Sequence, residues 1–107
     1  MDQGLGNIVL TVFSYTGKSV VGREIAKRLG WGFIDTDDDI VRLAGKPIPE
    51  IFTQDGEGHF RELERQVLRD ACQQREVVIA TGGGAFLDRR NREAAFSSGV
   101  VICLEAT

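Results

Sequence analysis

Four groups of residues have types and spacings that could do chemistry. The first is Gly17-Lys18-Ser19, the end of the phosphate-loop pattern G-x-x-x-x-G-K-[ST], with Val12 at the pattern's first glycine. A helix opening there offers free N–H groups and the positive end of its dipole to phosphate. Lys18 would reach the outer phosphates and the Ser19 hydroxyl would take Mg2+. The plainer alternative is a helix that merely starts after a glycine. The second group is Asp35-Thr36-Asp37, followed by Asp38 and Asp39. One carboxylate suits Mg2+, and a second could accept hydrogen bonds from substrate hydroxyls or take a proton from one. On extended backbone the side chains of Asp35 and Asp37 would point the same way. The alternative is an acidic cap on the next helix. Third, Gly82-Gly83-Gly84 permits very close backbone approach to a ligand, at an entropic cost that a plain turn rarely carries. Fourth, Arg61 stands at the rim of an apolar helical stripe, where a guanidinium could grip a carboxylate bidentately or simply pair with Glu57.

Other reactive residues read as structural. His59 is the single histidine and has no nucleophile pattern around it, so a surface position is expected. Cys72 and Cys103 lack the spacing of a metal site and read as reduced, mostly buried thiols. Trp31 and the phenylalanines read as core or pocket lining. Arg89, Arg90 and Arg92 read as a solvated helix face rather than a phosphate site.

The elements that must position these groups are legible from periodicity. Asn7 to Phe13 is a near-continuous β-branched and aromatic run, as in a strand covered on both faces. A helix should follow from Gly17-Lys18-Ser19 to about Leu29, with Val21, Ile25, Ala26 and Leu29 inward and Gly30 as its stop. Trp31 to Ile34 should be a second strand. A short helix over Ile40 to Ala44 should end at Gly45, and Pro47 or Pro49 should start another turn through Ile51 and Phe52. The spacing of Phe60, Leu63, Val67, Leu68 and Ala71 predicts one long helix over Asp55 to Gln74, with Glu57–Arg61 and Glu62–Arg65 pairs on its surface. Glu76 to Ala80 and Val100 to Leu104 read as two further strands, with a helix from Arg89 to Phe96 capped by Asp88 between them.

This β-α-β-α-β-α-β order, joined by short connections, is that of a doubly wound parallel sheet, an α/β fold. Ligands of such sheets bind beyond the carboxyl ends of the strands. The phosphate-loop residues, the aspartates and the triple glycine each follow a strand, so the fold would gather them along one edge.

Bulk properties narrow the function classes. At 107 residues, one domain is the upper bound. A net charge of −3 gives no electrostatic case for nucleic acid or an anionic membrane. No apolar run approaches the roughly 18 residues of a membrane span, and Met1 to Gly6 has no basic leader region. A cytoplasmic enzyme or binding protein is the expectation.

In combination, Thr16-Gly17-Lys18-Ser19, Ile34-Asp35-Thr36-Asp37, Phe60-Arg61-Glu62-Leu63-Glu64 and Thr81-Gly82-Gly83-Gly84-Ala85 resemble the N-terminal part of shikimate kinases in order and spacing. The resemblance covers essentially the whole chain. It implies a three-layer α/β/α P-loop kinase fold and ATP-dependent phosphorylation of the shikimate 3-hydroxyl, a step toward chorismate and the aromatic amino acids. It places Thr16, Gly17, Lys18 and Ser19 at ATP, and Ser19 with Asp35 at Mg2+. It places Asp37, Arg61, Gly82, Gly83 and Gly84 at shikimate. Arg61 would meet the substrate carboxylate, and Asp37 its hydroxyls, serving also as base; Lys18 and Asp37 would be the catalytic pair. A monomer is the family-like expectation.

The chain departs from the family pattern at Val12 and Tyr15, where glycines are usual, and at Val41, where a glutamate is common. A β-branched and a bulky residue in the loop resist tight phosphate approach, at roughly 1–3 kcal/mol if positive φ is required. The family also has a segment beyond the fourth strand that carries a lid arginine, a second substrate arginine, the adenine loop and a fifth strand. Residues 1–107 are therefore expected to form a truncated domain whose fourth strand is an apolar edge. Two expectations follow: a shikimate kinase, or a non-catalytic relative that binds without phosphoryl transfer.

Overall fold

The computed structural model describes residues 6–12, 18–82 and 84–104, with backbone alone at positions 12, 18, 19 and 104. Four strands, β1 (Asn7–Val12), β2 (Gly32–Asp35), β3 (Val77–Ala80) and β4 (Gly99–Leu104), form one sheet in the order β2-β3-β1-β4. Every pairing is parallel. The apolar runs read as two-sided strands are just that. In β3 all four residues are buried, and their side chains alternate between two cores. Val9, Val77 and Ile79 pack with Leu68, Ala71 and Ala95 on one face. Leu10 and Val78 pack with Ala26 on the other. The result is the expected three-layer α/β/α arrangement.

On the second face lies α1 (Lys18–Leu29). Its inward stripe differs from the sequence expectation. Ala26 is buried, but Val21 and Leu29 are exposed. The helix instead approaches the sheet through Gly22, where a Cβ would sit 2.5 Å from the Phe33 ring. A glycine at the contact brings the axis close and rotates its neighbours outward. Gly30 stops the helix with φ +73°, as expected.

The first face carries α4 (Glu57–Cys72) and α5 (Arg89–Ser98), while α2 (Thr36–Ala44) and α3 (Ile48–Asp55) pack beside α4 around Ile40, Ile51, Phe60 and Val67. Two boundaries are corrections. α2 begins at Thr36, four residues before the expected start, because Asp35 caps it: its Oδ1 accepts from the Asp37 N–H at 2.9 Å. The long helix starts at Glu57, two residues after the expected Asp55, because the φ of 89° and ψ of 163° at Gly56 suit no helix and no residue with a side chain. That turn folds α3 back so that Phe52 and Phe60 meet at 4.7 Å between ring centroids.

The start of the sheet is tied by Asn7, fully buried. Its Nδ2 donates to the Gln74 carbonyl at 2.9 Å, and its Oδ1 accepts from the Val77 N–H at 3.1 Å. β1 is thereby locked to the end of α4 and the start of β3. Beside it, a Cβ at Gly99 would fall 2.0 Å from the Asn7 carbonyl oxygen, so only glycine fits. Cys103 is exposed on β4 rather than buried, because it lies on an edge strand.

Candidate functional site

The register places the carboxyl ends of three strands in line, with Asp35 opposite Ala80 and Ala80 opposite Leu10. Carbonyls at such an edge run out of strand partners and need other donors. Two buried threonines supply them. Thr36 Oγ1 donates to the Ala80 carbonyl at 3.3 Å, and Thr81 donates to the Leu10 carbonyl from its N–H at 3.0 Å and its Oγ1 at 2.9 Å. These hydroxyls fix where the chain leaves β2 and β3, and so where Asp37 and the glycine turn go.

That turn runs between two charged side chains. A Cβ at Gly82 would stand 3.0 Å from Asp37 Oδ1, and one at Gly84 would stand 2.8 Å from both terminal nitrogens of Arg61. The glycines are therefore a close approach of backbone to a carboxylate at one end and a guanidinium at the other. Asp37 and Arg61 come from different helices, α2 and α4, and both lie against this turn. Helical backbone from Thr36 onward also overrides the expectation that Asp35 and Asp37 project together from extended chain. Asp35 is the α2 cap, and Asp37 lies in the first turn.

Arg61 is held from below by Glu64. Its Nη1 donates to Glu64 Oε1 at 2.9 Å, and the Glu64 side chain is 2% exposed. The expected Glu57 contact is present but longer, at 3.5 Å. Burial opposes the Arg61 charge, yet hydrogen bonds and attraction from Glu64 and Glu57 outweigh it and hold the pKa above the ordinary guanidinium value. Glu64 behaves unlike a simple ion-pair partner. Burial drives its carboxyl above the usual range, Arg61 pulls it down, and the nearby Asp37 and Asp88 push it up again. A carboxylate out of water beside two others is costly to ionise even with a guanidinium attached.

Glu64 is a site residue that the sequence reading quoted within its motif but gave no role. Its signal is positional: it lies four residues after Phe60 and four before Leu68, on the apolar stripe itself. A carboxylate there must be paired or protonated. Arg65 also departs from expectation and reaches Asp88 at 3.1 Å. Asp88 caps α5 as expected, accepting from the Arg90 N–H at 2.8 Å. α5 in turn holds the segment after the glycine turn, through Asn91 Nδ2 to the Ala85 carbonyl at 2.9 Å and Arg92 Nη1 to the Phe86 carbonyl at 2.7 Å.

At the nucleotide end, β1 runs to Val12 and α1 opens at Lys18. Tyr15, Thr16, Gly17 and Gly83, and the side chains of Val12, Lys18 and Ser19, lie outside the described residues. Asp35 ends β2 on the same sheet edge. A hydroxyl and a carboxylate are the hard oxygen donors that Mg2+ takes while keeping water and phosphate oxygens. His59 is exposed, as expected. No helix among the described residues is long and apolar enough to cross a membrane.

Comparison with known proteins gives a consistent result. The family model for shikimate kinase matches residues 15–107. The chain is 48% identical over 99 residues to a shikimate kinase of Salinibacter ruber, covering 92% of this chain and 48% of that protein. It is 44% identical over 100 residues to one from Deinococcus radiodurans, covering 94% of this chain and 51% of that one. A solved shikimate kinase from Acinetobacter baumannii in complex with shikimate superposes with a TM-score of 0.92 at 41% identity, over 96% of this chain and 57% of that one. The chain thus spans about half the length of the curated relatives it matches.

Proposed function

Because the chain belongs to the shikimate kinase family, we propose that it acts in ATP-dependent transfer of a phosphoryl group to the 3-hydroxyl of shikimate. The observation that supports this most is the glycine turn seated between Asp37 and Arg61. A substrate lying on that turn meets a guanidinium fork at one end, suited to a carboxylate, and a carboxylate at the other, suited to hydroxyls. Gly82, Gly83 and Gly84 let it approach the backbone. Glu64 aims the Arg61 fork. Asp37 orients the attacking hydroxyl and accepts its proton.

Thr16, Gly17, Lys18 and Ser19 hold the ATP phosphates at the start of α1, and Ser19 with Asp35 hold Mg2+. The ion, when bound, neutralises charge on the transferring phosphate, which is most of what this chemistry asks of a protein. The setting proposed is cytoplasmic, with residues 1–107 forming the nucleotide- and substrate-binding part of a domain that in relatives is longer. A second reading, binding without phosphoryl transfer, is favoured by Val12 and Tyr15 in the loop.

Shikimate titration and shikimate-dependent ADP formation test both readings. Shikimate is expected to raise the melting temperature. Arg61→Lys is expected to weaken binding about 10-fold or more, as the loss of a charged hydrogen bond in a bidentate pair. Gly84→Ala should weaken it too, by displacing the guanidinium. No shikimate effect on the parent chain would sink the site. Stabilisation without turnover, in the parent and in Val12→Gly/Tyr15→Gly alike, would leave binding and sink the kinase.

A further inference from the structure

Away from that site, the outer groove between α4 and α5 holds a cleft of about 120 Å3 lined by Arg65, Arg69, Arg90, Asn91 and Ala94. We propose that this cleft binds a small phosphate dianion, either inorganic phosphate or the head of a phosphate monoester. Three arginines from two helices line it, and no acidic residue is among its lining residues. Asp88 is the carboxylate that two of these arginines contact. It is shared: Arg65 Nη1 reaches its Oδ2 at 3.1 Å, while Arg90 reaches Oδ1 at 3.3 Å through Nε and Oδ2 at 3.4 Å through Nη2. The same carboxylate also accepts the Arg90 N–H as the α5 cap. Arg69 has no ion-pair partner among the described residues. With Asp88 shared by two arginines and Arg69 unpaired among the described residues, the lining keeps guanidinium donors for a phosphate oxyanion.

The other arginines nearby are occupied elsewhere. Arg89 pairs with Glu93 at 3.1 Å, and Arg92 donates to the Phe86 carbonyl. Arg65 and Arg69 are four apart on α4 and so share one face. Arg90 faces them from α5. The volume is well above the ~10–15 Å3 a single water needs, and small for anything larger than an oxyanion with part of its substituent. Guanidinium forks fit tetrahedral phosphate oxygens well. Ala94, with no long side chain, leaves the space open. The chain's net charge of −3 makes a local basic cleft unsuited to a long polyanion.

The test uses the 107-residue chain carrying Lys18→Ala, which silences the proposed nucleotide loop. Inorganic phosphate and methyl phosphate are titrated separately at constant ionic strength, balanced with chloride, and followed by backbone amide NMR. Saturable shifts centred on residues 65, 69, 90 and 91 are expected. Tighter binding of methyl phosphate would identify a monoester head, and equal or weaker binding would identify the free ion. Arg69→Gln and Arg90→Gln should each weaken binding about three- to tenfold. Arg90 is exposed, and its capping contact is made by the main chain, so that variant should stay folded. Shifts reproduced by chloride alone, shifts confined to the start of α1, or affinities unchanged in both variants would overturn the proposal.

Discussion

Glu64 shows how one residue can sit in the core pattern and serve the site. Its stem occupies a stripe position on α4, and its carboxyl supports Arg61. Folding raises its pKa above the unfolded value, chiefly through burial. The stability linked to this group is therefore fully present below the unfolded value and lost as pH rises through the folded one. Each unit of that rise corresponds to about 1.4 kcal/mol. Glu64→Gln does not titrate. Urea unfolding of both proteins from pH 4 to 8 should show the parent losing stability relative to Glu64→Gln as pH rises. Asp55, held low by its hydrogen bond to Lys46, and Asp88, held low by the Arg90 N–H, pull the other way in both proteins and largely cancel in the difference. A difference that grew with pH in favour of the parent would show that Arg61, not burial, dominates Glu64.

Among the elements, the break between α3 and α4 most affects the site, because it sets where α4 begins and so the height of Arg61. Asp55 to Gln74 reads as one amphipathic helix with Gly56 in its first turn. The glycine's conformation decides otherwise. Nothing lies within 4 Å of a Cβ built on Gly56, so the glycine is required by backbone geometry and not by space. The sign of one substitution separates the two descriptions. In a continuous helix Gly56→Ala would stabilise by about 1 kcal/mol. With φ 89° and ψ 163° it should destabilise by about 1–3 kcal/mol, lowering the melting temperature by roughly 4 °C or more. Thermal unfolding followed by circular dichroism reads the difference.

Taken whole, the described sheet has β2 at one edge and β4 at the other. On β4, Val100 and Ile102 are each more than a third exposed, beside an exposed Cys103. A parallel sheet with an uncovered apolar edge is prone to pair with another chain. The 107-residue chain is expected to self-associate with rising concentration, and Ile102→Lys should shift light-scattering mass toward the monomer. An unchanged concentration dependence in that variant would place the association elsewhere.

Much of this was readable in the residues. The four strands, the carboxyl-edge position of the three motifs and the caps Asp88, Gly30 and Gly45 follow from local pattern, because periodicity and capping are short-range physics. The motif set also indicated the family. Other features needed the tertiary structure. Gly22 sets the rotation of α1 through contact with Phe33, a residue of another element. Gly56 separates α3 from α4 by a backbone conformation that no spacing announces. The Asn7 lock and the Arg65–Asp88 bridge join residues 23 or more apart. Above all, the sequence by itself placed the glycines and the aspartates near one sheet edge, and brought Arg61 there only through the family resemblance. Only the fold decided that the glycine turn passes between Asp37 and Arg61 with Glu64 beneath, because that contact depends on how three elements pack and on no spacing along the chain.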